Sequence, residues 1–370
     1  MKLEGLRVLD LSHFLPGPFL TLAMADHGAE VIKVEPPGEG DPGRHVGLSD
    51  GPSTVFFRNL NRGKKSIVID LKDAAGREAL LSLCESADVF VESFRPGVVD
   101  RLGVGYETVK ERNPRIVYCS ISAFGQTGPA KNRPAHDLAL EAESGLLSMT
   151  LGSDGKPAIP GIPISDVLAG LHGLAGVLMA LFRRRQTDKG DYIDISMHDV
   201  TVGALLNVLG PVLAEYRDPI PGHERSTGGS AFYRPYETGD GRYIVLAGQE
   251  PKFVTRLLDA LGRPELAKLC LQGPGPHQQP VIDFLSEQFR KRPLDEWDGY
   301  LATLDICYGR VNTLREALSH PHLNKRGMIV SDHQGRTHIA PPIHFRNEPA
   351  LPAFLEPQLG EQNDTILKGV

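Results

Sequence analysis

Cysteine is scarce in this sequence, and its spacing excludes two kinds of site. The 370 residues contain only four cysteines, Cys84, Cys119, Cys270 and Cys307, and none lies in a CxxC pair. This pattern argues against a disulfide framework and against a cysteine-ligated zinc site. We therefore expect reduced core thiols in a cytoplasmic protein, because the chain also opens on strand-like sequence rather than on a signal segment.

Long apolar runs and strongly basic runs are also missing. The longest apolar stretch, residues 167–182, is short for a membrane span and predicts a buried helix, with His172 in the core. The net charge is −6 with both signs interspersed, so no basic face suggests nucleic-acid binding. Apolar residues make up 41% of the chain and charged residues 23%, which is typical of a globular protein.

A usable dinucleotide loop and a metal site are absent as well. The segment "GEGDPG" (38–43) matches GxGxxG, but its two acids would repel a pyrophosphate and Pro42 removes an N–H donor. We interpret it as a surface loop. "HPH" (320–322) has no acidic or cysteine partner at ligand spacing, so no metal site is predicted.

Strands that alternate with helices occupy the first 200 residues. "RVLDLS", "EVIKVE", "SIVIDL", "DVFVESF", "RIVYCSIS" and "DYIDISM" are typical of buried strands. Helical segments separate them, including 164–186, and an apolar helix is predicted from about 199 to 216. This alternation predicts right-handed βαβ units and a parallel sheet. A Gly- and Pro-rich stretch, 218–241, marks a domain boundary before a smaller α+β region, and the chain is irregular from about 320 onward.

Three turns are candidates for ligand binding because each follows or precedes a predicted strand. "HFLPGPF" (13–19) joins the first strand to a helix whose N-terminus would supply N–H groups to an anionic ligand. Cations lie in "NRGKK" (61–65) and in "SFRPGVVDR" (93–101). They are compatible with one phosphate-rich ligand held by Arg and Lys, although charge runs are more often solvated faces.

Three isolated titratable residues are candidates for chemistry. His136 is either a base or a satisfied polar residue. Asp166 opens an apolar helix, where it is either an N-cap or a carboxylate kept ionised by the helix terminus. Glu250 lies at a strand-to-helix junction. Asp137 either orients His136 or is structural.

The chain resembles the family III CoA-transferases, the CaiB/BaiF family, which includes the α-methylacyl-CoA racemases. The resemblance covers nearly the whole chain and is carried by "LRVLDLSHFLPGP", "HGAEVIKVEPPGEGDPGR", "NRGKKSIVIDLK", "VFVESFRPGVVDRLG", "SISAFGQTGP", "AHDLALEAESGLL", "GIPISDVLAG", "KGDYIDISMHD" and "VNTLREALSHPHLNKRGM".

The resemblance implies an α/β fold in an interlocked homodimer, with two chains passing through each other like linked rings. It implies a Rossmann-like large domain over 1–220, completed by about 320–370, and a small α+β domain over 225–320. The active site would lie between the large domain of one subunit and the small domain of the other. Coenzyme A would enter as part of the acyl-CoA substrate, with no tightly bound cofactor and no nucleic-acid or membrane partner. The implied CoA contacts are Leu15, Pro16, Asp70, Leu71, Lys72, Ser93, Phe94, Arg95 and Arg101.

The resemblance also implies the catalytic residues, and it leaves two reactions open. In a 2-methylacyl-CoA racemase, Asp166 and His136 exchange protons on opposite faces of the α-carbon, and Glu250 supports the histidine. In a CoA-transferase, Asp166 attacks the thioester and forms an acyl anhydride and then an aspartyl-CoA thioester. We favour the racemase, because transfer has no evident use for His136. Backbone N–H groups at the start of the 167 helix, or the glycines after the aspartate, would stabilise the enolate. A non-catalytic CoA-binding subunit is a third possibility.

Overall fold

A six-stranded parallel sheet forms the centre of the larger part of the chain in the computed structural model, which describes residues 1–369. Its strands are rich in Val, Ile and Leu, as expected for strands that are covered on both faces. Within the described residues the strands are β1 (Arg7–Asp10), β2 (Glu30–Glu35), β3 (Lys65–Val68), β4 (Val89–Glu92), β5 (Val117–Ser122), β6 (Asp191–Ser196), β7 (Arg234–Glu237), β8 (Tyr243–Leu246), β9 (Tyr308–Arg310), β10 (Ile329–Ser331) and β11 (Thr337–Ile339). All pairings among β1 to β6 are parallel, which confirms the predicted α/β class and parallel sheet.

Helices follow most of these strands. Within the described residues they are α1 (Pro16–Asp26), α2 (Val55–Asn61), α3 (Ala74–Cys84), α4 (Val98–Arg101), α5 (Tyr106–Arg112), α6 (Asp137–Glu143), α7 (Leu146–Met149), α8 (Ile164–Thr187), α9 (Met197–Ala204), α10 (Gly210–Glu215), α11 (Pro251–Ala260), α12 (Ala267–Cys270), α13 (Gln279–Phe289), α14 (Leu294–Ala302), α15 (Leu314–Leu318), α16 (Pro321–Lys325) and α17 (Asn363–Ile366).

The order of the main sheet places a switch point between β1 and β4. The strands run β3-β2-β1-β4-β5-β6, so the chain proceeds outward in one direction from β1 and in the other direction from β4. Ligands of open α/β sheets bind beside the carboxyl ends of strands at such a point. The turns after β1 and β4 are therefore where a site is expected.

Two compact units make up the chain. The first contains 1–144, 160–203 and 321–370, and the second contains 145–159 and 204–320. The predicted small domain, 225–320, lies within the second unit, which begins earlier and also takes in 145–159. The second unit has an antiparallel sheet, β7-β8-β9, and a core that includes Phe289 and Trp297.

The prediction of one helix from about 199 to 216 is wrong, because the structure has two short helices there, α9 and α10. Pro211 stands at the start of α10. Proline has no N–H to donate and its ring clashes with the preceding turn, so a continuous helix through this position is disfavoured. The stretch after 320, predicted as irregular, also contains an antiparallel pair, β10 and β11.

The prediction that α8 is a buried helix holds for only one of its faces. Ala169 and Val177 pack in a core beside the sheet, whereas Met179 is 70% and Phe182 68% exposed. His172 is exposed, so its predicted core position is wrong. By length and composition alone α8 could cross a membrane, but this is weak evidence because core helices of soluble proteins meet the same criteria.

The prediction that the cysteines lie in the core is correct only for the two cysteines near the main sheet. Cys84 and Cys119 are buried, but Cys270 is partly buried and Cys307 is exposed.

Candidate active site

A cavity of about 320 Å³ lies at the switch point of the main sheet. The turn after β1 contributes His13, Phe14 and Pro16, and the turn after β4 contributes residues 93–96. His136 and Asp166 line the same cavity. Ile121, Ser122, Ala123, Lys131, Arg133, Pro134, Ala135 and Met197 complete the lining. The structure therefore brings six of the residues predicted from the sequence into one cavity: His136, Asp166, Pro16, Ser93, Phe94 and Arg95.

The turn after β1 has a constrained backbone. Phe14 has a φ of 60°, in the left-handed region that non-glycine residues seldom adopt. A Cβ at position 17 would collide with the Ser12 side chain, so Gly17 is required where the turn enters α1. The backbone N–H of His13 donates to Ser93 Oγ at 3.0 Å and joins the turns after β1 and β4. Such strain is typical of functional sites.

The predicted N–H donors at the start of α1 are fewer than expected. Pro16 and Pro18 both lie in the first turn and have no N–H, so an anionic ligand would find few backbone donors there. Proline at the first helical position instead fixes the backbone for helix entry. Leu15 precedes the helix, and Pro16 contributes to the cavity wall.

Most cations of the "NRGKK" segment are internal, which corrects their predicted role as phosphate ligands. Lys64 is fully buried and its Nζ lies 3.0 Å from Asp10 Oδ2. Arg62 is buried in an ion pair with Asp26, and Lys65 pairs with Glu30 at the surface. Because Lys64 and Arg62 are enclosed in these ion pairs, they stabilise the fold and are not free to bind a ligand.

A buried network of charges lies beneath the turn between β1 and α1. It contains Lys64 and Asp10 and also Lys33 and Asp41, whose Nζ and Oδ2 atoms lie 2.7 Å apart. Burial raises the pKa of Asp10, but the charges of Lys64 and Lys33 outweigh it and hold that pKa below its usual range. Burial lowers the pKa of Lys64 to about 8, although Asp10 opposes this shift. The "GEGDPG" segment contributes Asp41 to this network, so its interpretation as a surface loop is wrong for that residue.

The other predicted CoA contacts lie at the carboxyl ends of β3 and β4. Arg95 and Arg101 are exposed, and Arg101 packs beside Gly97. Asp70, Leu71 and Lys72 form the turn after β3, in which the Lys72 N–H donates to Asp70 Oδ1 at 2.9 Å. Leu15, Arg101 and the turn after β3 do not contribute to the lining of the cavity described above.

His136 and Asp166 reach the cavity from the starts of two packed helices. His136 is the N-cap residue of α6 and is exposed. Asp166 is the third residue of α8, so it is inside the helix and not the predicted N-cap. Asp137 Oδ1 accepts the backbone N–H of Asp166 at 3.0 Å, which links the His-Asp pair directly to the first turn of α8.

The carboxyl of Asp166 is harder to ionise than a free aspartate. Burial, with the nearby acids Asp137 and Glu141, raises the pKa of Asp166 to about 7. The helix terminus therefore does not keep the pKa of Asp166 low, because burial and two neighbouring carboxylates, which accept the N–H groups of Ile164 and Asp166, oppose its ionisation.

The first turn of α8 also has few free N–H groups for an enolate. The Ile164 N–H donates to Glu141 Oε1 at 2.9 Å, and the Val167 N–H donates to the Pro163 carbonyl at 3.1 Å. Together with the Asp166 N–H, these groups are engaged within the protein. The N–H groups of Ile164, Asp166 and Val167 are therefore not free to stabilise an enolate in the way predicted for the start of this helix.

Sequence reasoning missed several residues of this region. Ser122, at the end of β5, is 6% exposed, lines the cavity and has no hydrogen-bond partner for its Oγ among residues 1–369. Lys131 and Arg133 lie on the loop before His136, and Arg133 pairs with Glu143. Proximity to His136 along the chain was the available signal for the loop. For Ser122 the sequence contained no signal, because spacing along the chain does not reveal burial.

Glu250 lies in the second unit, where it is the N-cap residue of α11. Its backbone carbonyl accepts the N–H of Phe253 at 2.9 Å. The support of His136 by this glutamate stays a prediction. Among residues 1–369, no group of three or more His, Cys, Asp or Glu side chains is arranged to hold a metal ion.

Comparison with known proteins gives consistent matches over the whole chain. Residues 3–363 match the family model described as CoA-transferase family III. The acetyl-CoA:oxalate CoA-transferase of Acetobacter aceti is 36% identical over 332 residues, which covers 88% of this chain and 85% of the relative. The alpha-methylacyl-CoA racemase of Homo sapiens is 32% identical over 372 residues, which covers 100% of this chain and 93% of the relative.

Solved structures give the same result. A crystal structure of a CaiB/BaiF family protein from Brucella suis has a TM-score of 0.86 at 31% identity and covers 98% of each chain. The relatives include both CoA-transferases and a racemase, and all of these names refer to acyl-CoA chemistry or to this family. The chain therefore belongs to CoA-transferase family III, the CaiB/BaiF family, and is an enzyme that acts on acyl-CoA.

Proposed function

We propose that this enzyme is a 2-methylacyl-CoA racemase in which His136 and Asp166 move the α-proton of the thioester. The observation that carries the proposal is that both side chains line one cavity at the switch point of the sheet. Racemisation needs two groups, because one removes a proton while the other delivers one to the opposite face. An imidazole and a carboxyl group can each do both near neutral pH.

The ionisation of Asp166 supports proton transfer. With its pKa raised to about 7, this carboxyl exists in both protonation states near neutral pH. A general acid–base catalyst works best when its pKa lies near the working pH. A nucleophile, in contrast, must be ionised to attack.

The enolate formed in this reaction needs a donor for its oxygen. We assign this role to Ser122, because this residue lines the cavity and its enclosed hydroxyl lacks a hydrogen-bond partner within residues 1–369. A donor aimed at developing charge in a site that excludes water is worth about 3 kcal/mol.

Coenzyme A would bind as part of the substrate along the carboxyl ends of β1, β3 and β4. Exposed Arg95 and Arg101, with Lys72, are the cations suited to its phosphates. Leu15, Pro16, Ser93 and Phe94 would contact the pantetheine arm, and Asp70 and Leu71 would lie beside the nucleotide. No tightly bound cofactor is part of this proposal.

We also propose an interlocked homodimer in the cytoplasm. The exposed apolar side chains of α8, including Met179 and Phe182, form a face that a second copy would cover. Glu250 of a second copy would then support His136, as the resemblance to the racemases implies.

Exchange of the α-hydrogen tests the racemase proposal. Incubating a 2-methylacyl-CoA with the enzyme in D2O should introduce deuterium at the α-carbon, measured by NMR together with loss of chirality. His136→Ala should suppress exchange from one face and leave the fold unchanged by circular dichroism. Absence of exchange in the native enzyme would contradict the proposal.

Transfer of CoA between carboxylic acids is the second candidate. It is favoured by the placement of Asp166 on the cavity wall and by the 36% identity to the acetyl-CoA:oxalate CoA-transferase. In that case Asp166 should form a thioester with CoA that hydroxylamine cleaves, detected by mass spectrometry. A non-catalytic subunit would show neither exchange nor labelling, and turnover by the purified single chain tests this third possibility.

A further inference from the structure

The loop between β5 and α6, residues 123–136, forms one wall of the cavity and ends on His136; we call it the His136 loop. Its lining residues include Lys131, Arg133 and His136. The described residues of this loop form no helix or strand, so its course depends on contacts with the rest of the protein. Gln126 lies near its start, in "SISAFGQTGP", and neither candidate reaction gives this residue a role.

Gln126 attaches the loop to two strands of the main sheet. Its backbone N–H donates to both carboxylate oxygens of Asp194 on β6, at 2.9 and 3.1 Å. Its side-chain Nε2 donates to Ser120 Oγ on β5 at 2.8 Å. Ser120 and Asp194 are register partners in the pairing of β5 with β6, so they lie side by side on neighbouring strands. One residue of the loop is therefore held by two strands at once.

The backbone before Gln126 lies closely against β6. Gly125 is buried and has a φ of 77°, in the region that favours glycine. A Cβ at this position would lie 3.3 Å from Ser196 Cβ and 3.4 Å from each carboxylate oxygen of Asp194. The loop thus approaches the strand most closely at the point where Gln126 donates.

Ser120 also connects Gln126 to the turn after β4. Glu92 and Ser120 are register partners in the pairing of β4 with β5, and both are buried. The Ser120 hydroxyl is hydrogen-bonded to the Glu92 carboxyl group, whose Oε2 accepts the backbone N–H of Phe94 at 2.8 Å. Phe94 and the His136 loop both line the cavity, so one chain of hydrogen bonds joins two of its walls.

We propose that Gln126 is a positioning residue that holds the His136 loop against the sheet and so fixes His136 relative to Asp166. At the other end of the loop His136 is held through α6, because Asp137 accepts the Asp166 N–H at 3.0 Å. Gln126 provides the second attachment. The inference rests on the proposed function only in taking His136 as a reacting group.

Two substitutions break the same hydrogen bond from opposite sides. Gln126→Met removes the donor and keeps the length of the side chain, whereas Ser120→Ala removes the acceptor. Because both variants lose one shared contact, the double variant should lose no more activity than the weaker of the two single variants. Gln186→Met makes the same chemical change at an exposed position near the end of α8 and is the control.

The two faces of the α-carbon distinguish positioning from a general loss of structure. Loss of the α-hydrogen in D2O is measured for each enantiomer of a 2-methylacyl-CoA, and His136→Ala identifies the enantiomer that His136 deprotonates. For that enantiomer Gln126→Met should lower kcat about tenfold and change KM less than about twofold, because a small displacement of a reacting group slows the reaction steeply. For the other enantiomer kcat should fall less than about twofold. Equal losses for both enantiomers would overturn the positioning role.

Measurements on the free protein keep this inference separate from the proposed function. NMR of 13C-labelled histidine, with the His136 signal assigned by its loss in His136→Ala, should show that signal shifted or broadened in Gln126→Met and in Ser120→Ala but not in the control. The amide of Arg133, which is hydrogen-bonded within the loop, should exchange roughly fivefold faster. If both changes occur while even the native enzyme exchanges no α-hydrogen, the positioning role holds and the racemase proposal fails.

Three results would overturn the positioning role whatever the reaction. The first is an unchanged His136 signal with unchanged amide exchange in Gln126→Met. The second is a double variant whose loss is the sum of the two single losses, since the two side chains would then act independently. If Gln126→Met does not fold, the third is an unchanged His136 signal in Ser120→Ala, which breaks the same bond by removing one oxygen atom.

Discussion

At the scale of single residues, stability and chemistry oppose each other at Asp166. The carboxyl is held in a partly buried position beside two other acids, which raises its pKa from 3.8 to about 7. Between these two pH values the folded protein binds more protons than the unfolded chain. The free energy of unfolding therefore falls as pH rises from about 4 to about 7, because the folded state must carry an unfavourable charge.

Asp166→Asn should remove this cost and stabilise the protein. At pH 8 we expect a gain of about 2 kcal/mol, which is less than the full shift would give at 1.36 kcal/mol per pKa unit, because partial exposure screens the charge. At pH 4 the gain should vanish, and activity should be lost at every pH. Urea unfolding at both pH values measures this, with Asp259→Asn, an exposed acid on α11, as the control. A variant less stable than the native enzyme at pH 8 would contradict the assigned ionisation.

Ser122 is the residue whose loss should affect only the transition state. Ser122→Ala removes the hydroxyl that we assign to the enolate oxygen and leaves a methyl group of similar size. We expect kcat to fall by roughly 100-fold, with KM for the acyl-CoA changed little, since the bond strengthens only as charge develops. Steady-state kinetics of racemisation separates the two constants. A large rise in KM at constant kcat would assign Ser122 to ground-state binding instead.

Burial marks the limit of prediction at this scale. His136 and Asp166 could be singled out because each is an isolated titratable group at a predicted turn, and both do line the cavity. Ser122 could not, because its proposed role depends on a buried oxygen without a hydrogen-bond partner in the described part of the chain. Lys64 was misassigned for the same reason: a charge run in the sequence looks the same whether it faces solvent or, as here, a buried aspartate.

At the scale of elements, the turn between β1 and α1 is held from below by the buried Asp10–Lys64 pair. Lys64 Nζ also donates to the Pro18 carbonyl at 3.1 Å and to Thr21 Oγ1 at 2.8 Å, both within α1. The network therefore fixes the start of the helix against β1. The backbone N–H of Phe14 donates to Asp41 Oδ1 of the same network at 3.4 Å.

Lys64→Met should break the network and destabilise the protein by about 3 kcal/mol, because it leaves the Asp10 charge buried without its main partner. The double variant Asp10→Asn/Lys64→Met should recover part of this loss. Lys65→Met removes the exposed cation next to Lys64 in the sequence and should lower the free energy of unfolding by less than about 1 kcal/mol. Denaturant unfolding of the native protein, Asp10→Asn, Lys64→Met and the double variant gives the coupling energy of the pair, and Lys65→Met is measured beside them as the control. Equal losses for positions 64 and 65 would show that the buried pair does not support the turn.

Element types were easier to predict from the sequence than element limits. The alternation of apolar strands with helices was enough for the parallel sheet, because inner strands such as β4 and β5 are buried on both faces and therefore have mostly apolar sequences. The break between α9 and α10 was missed although Pro211 marks it, because the apolar pattern continues across it. The exposed face of α8 was missed because an apolar side chain has the same letter whether the core or another chain covers it.

At the scale of the whole molecule, the exposed apolar face of α8 bears on assembly. Met179 and Phe182 would lie in water in a monomer, at a cost that burial against a second chain would remove. In the interlocked dimer that we propose, the two chains could separate only if one of them unfolded, so dilution alone should not release monomers. This behaviour differs from that of an ordinary dimer, whose dissociation depends on concentration.

Subunit exchange tests this topology. Two preparations that carry different affinity tags should each sediment at twice the chain mass, even at nanomolar concentration, and should form no hybrids when mixed under native conditions. Unfolding the mixture in denaturant and refolding it should produce hybrids, recovered by tandem purification, because the chains then close around one another again. Phe182→Glu should reduce the yield of refolded dimer, since a charge would enter the apolar face, whereas Leu48→Glu alters an apolar residue that is 83% exposed elsewhere and should not. Hybrids that form at the native mixing step would rule out linked chains, and a single-chain mass would rule out the dimer itself.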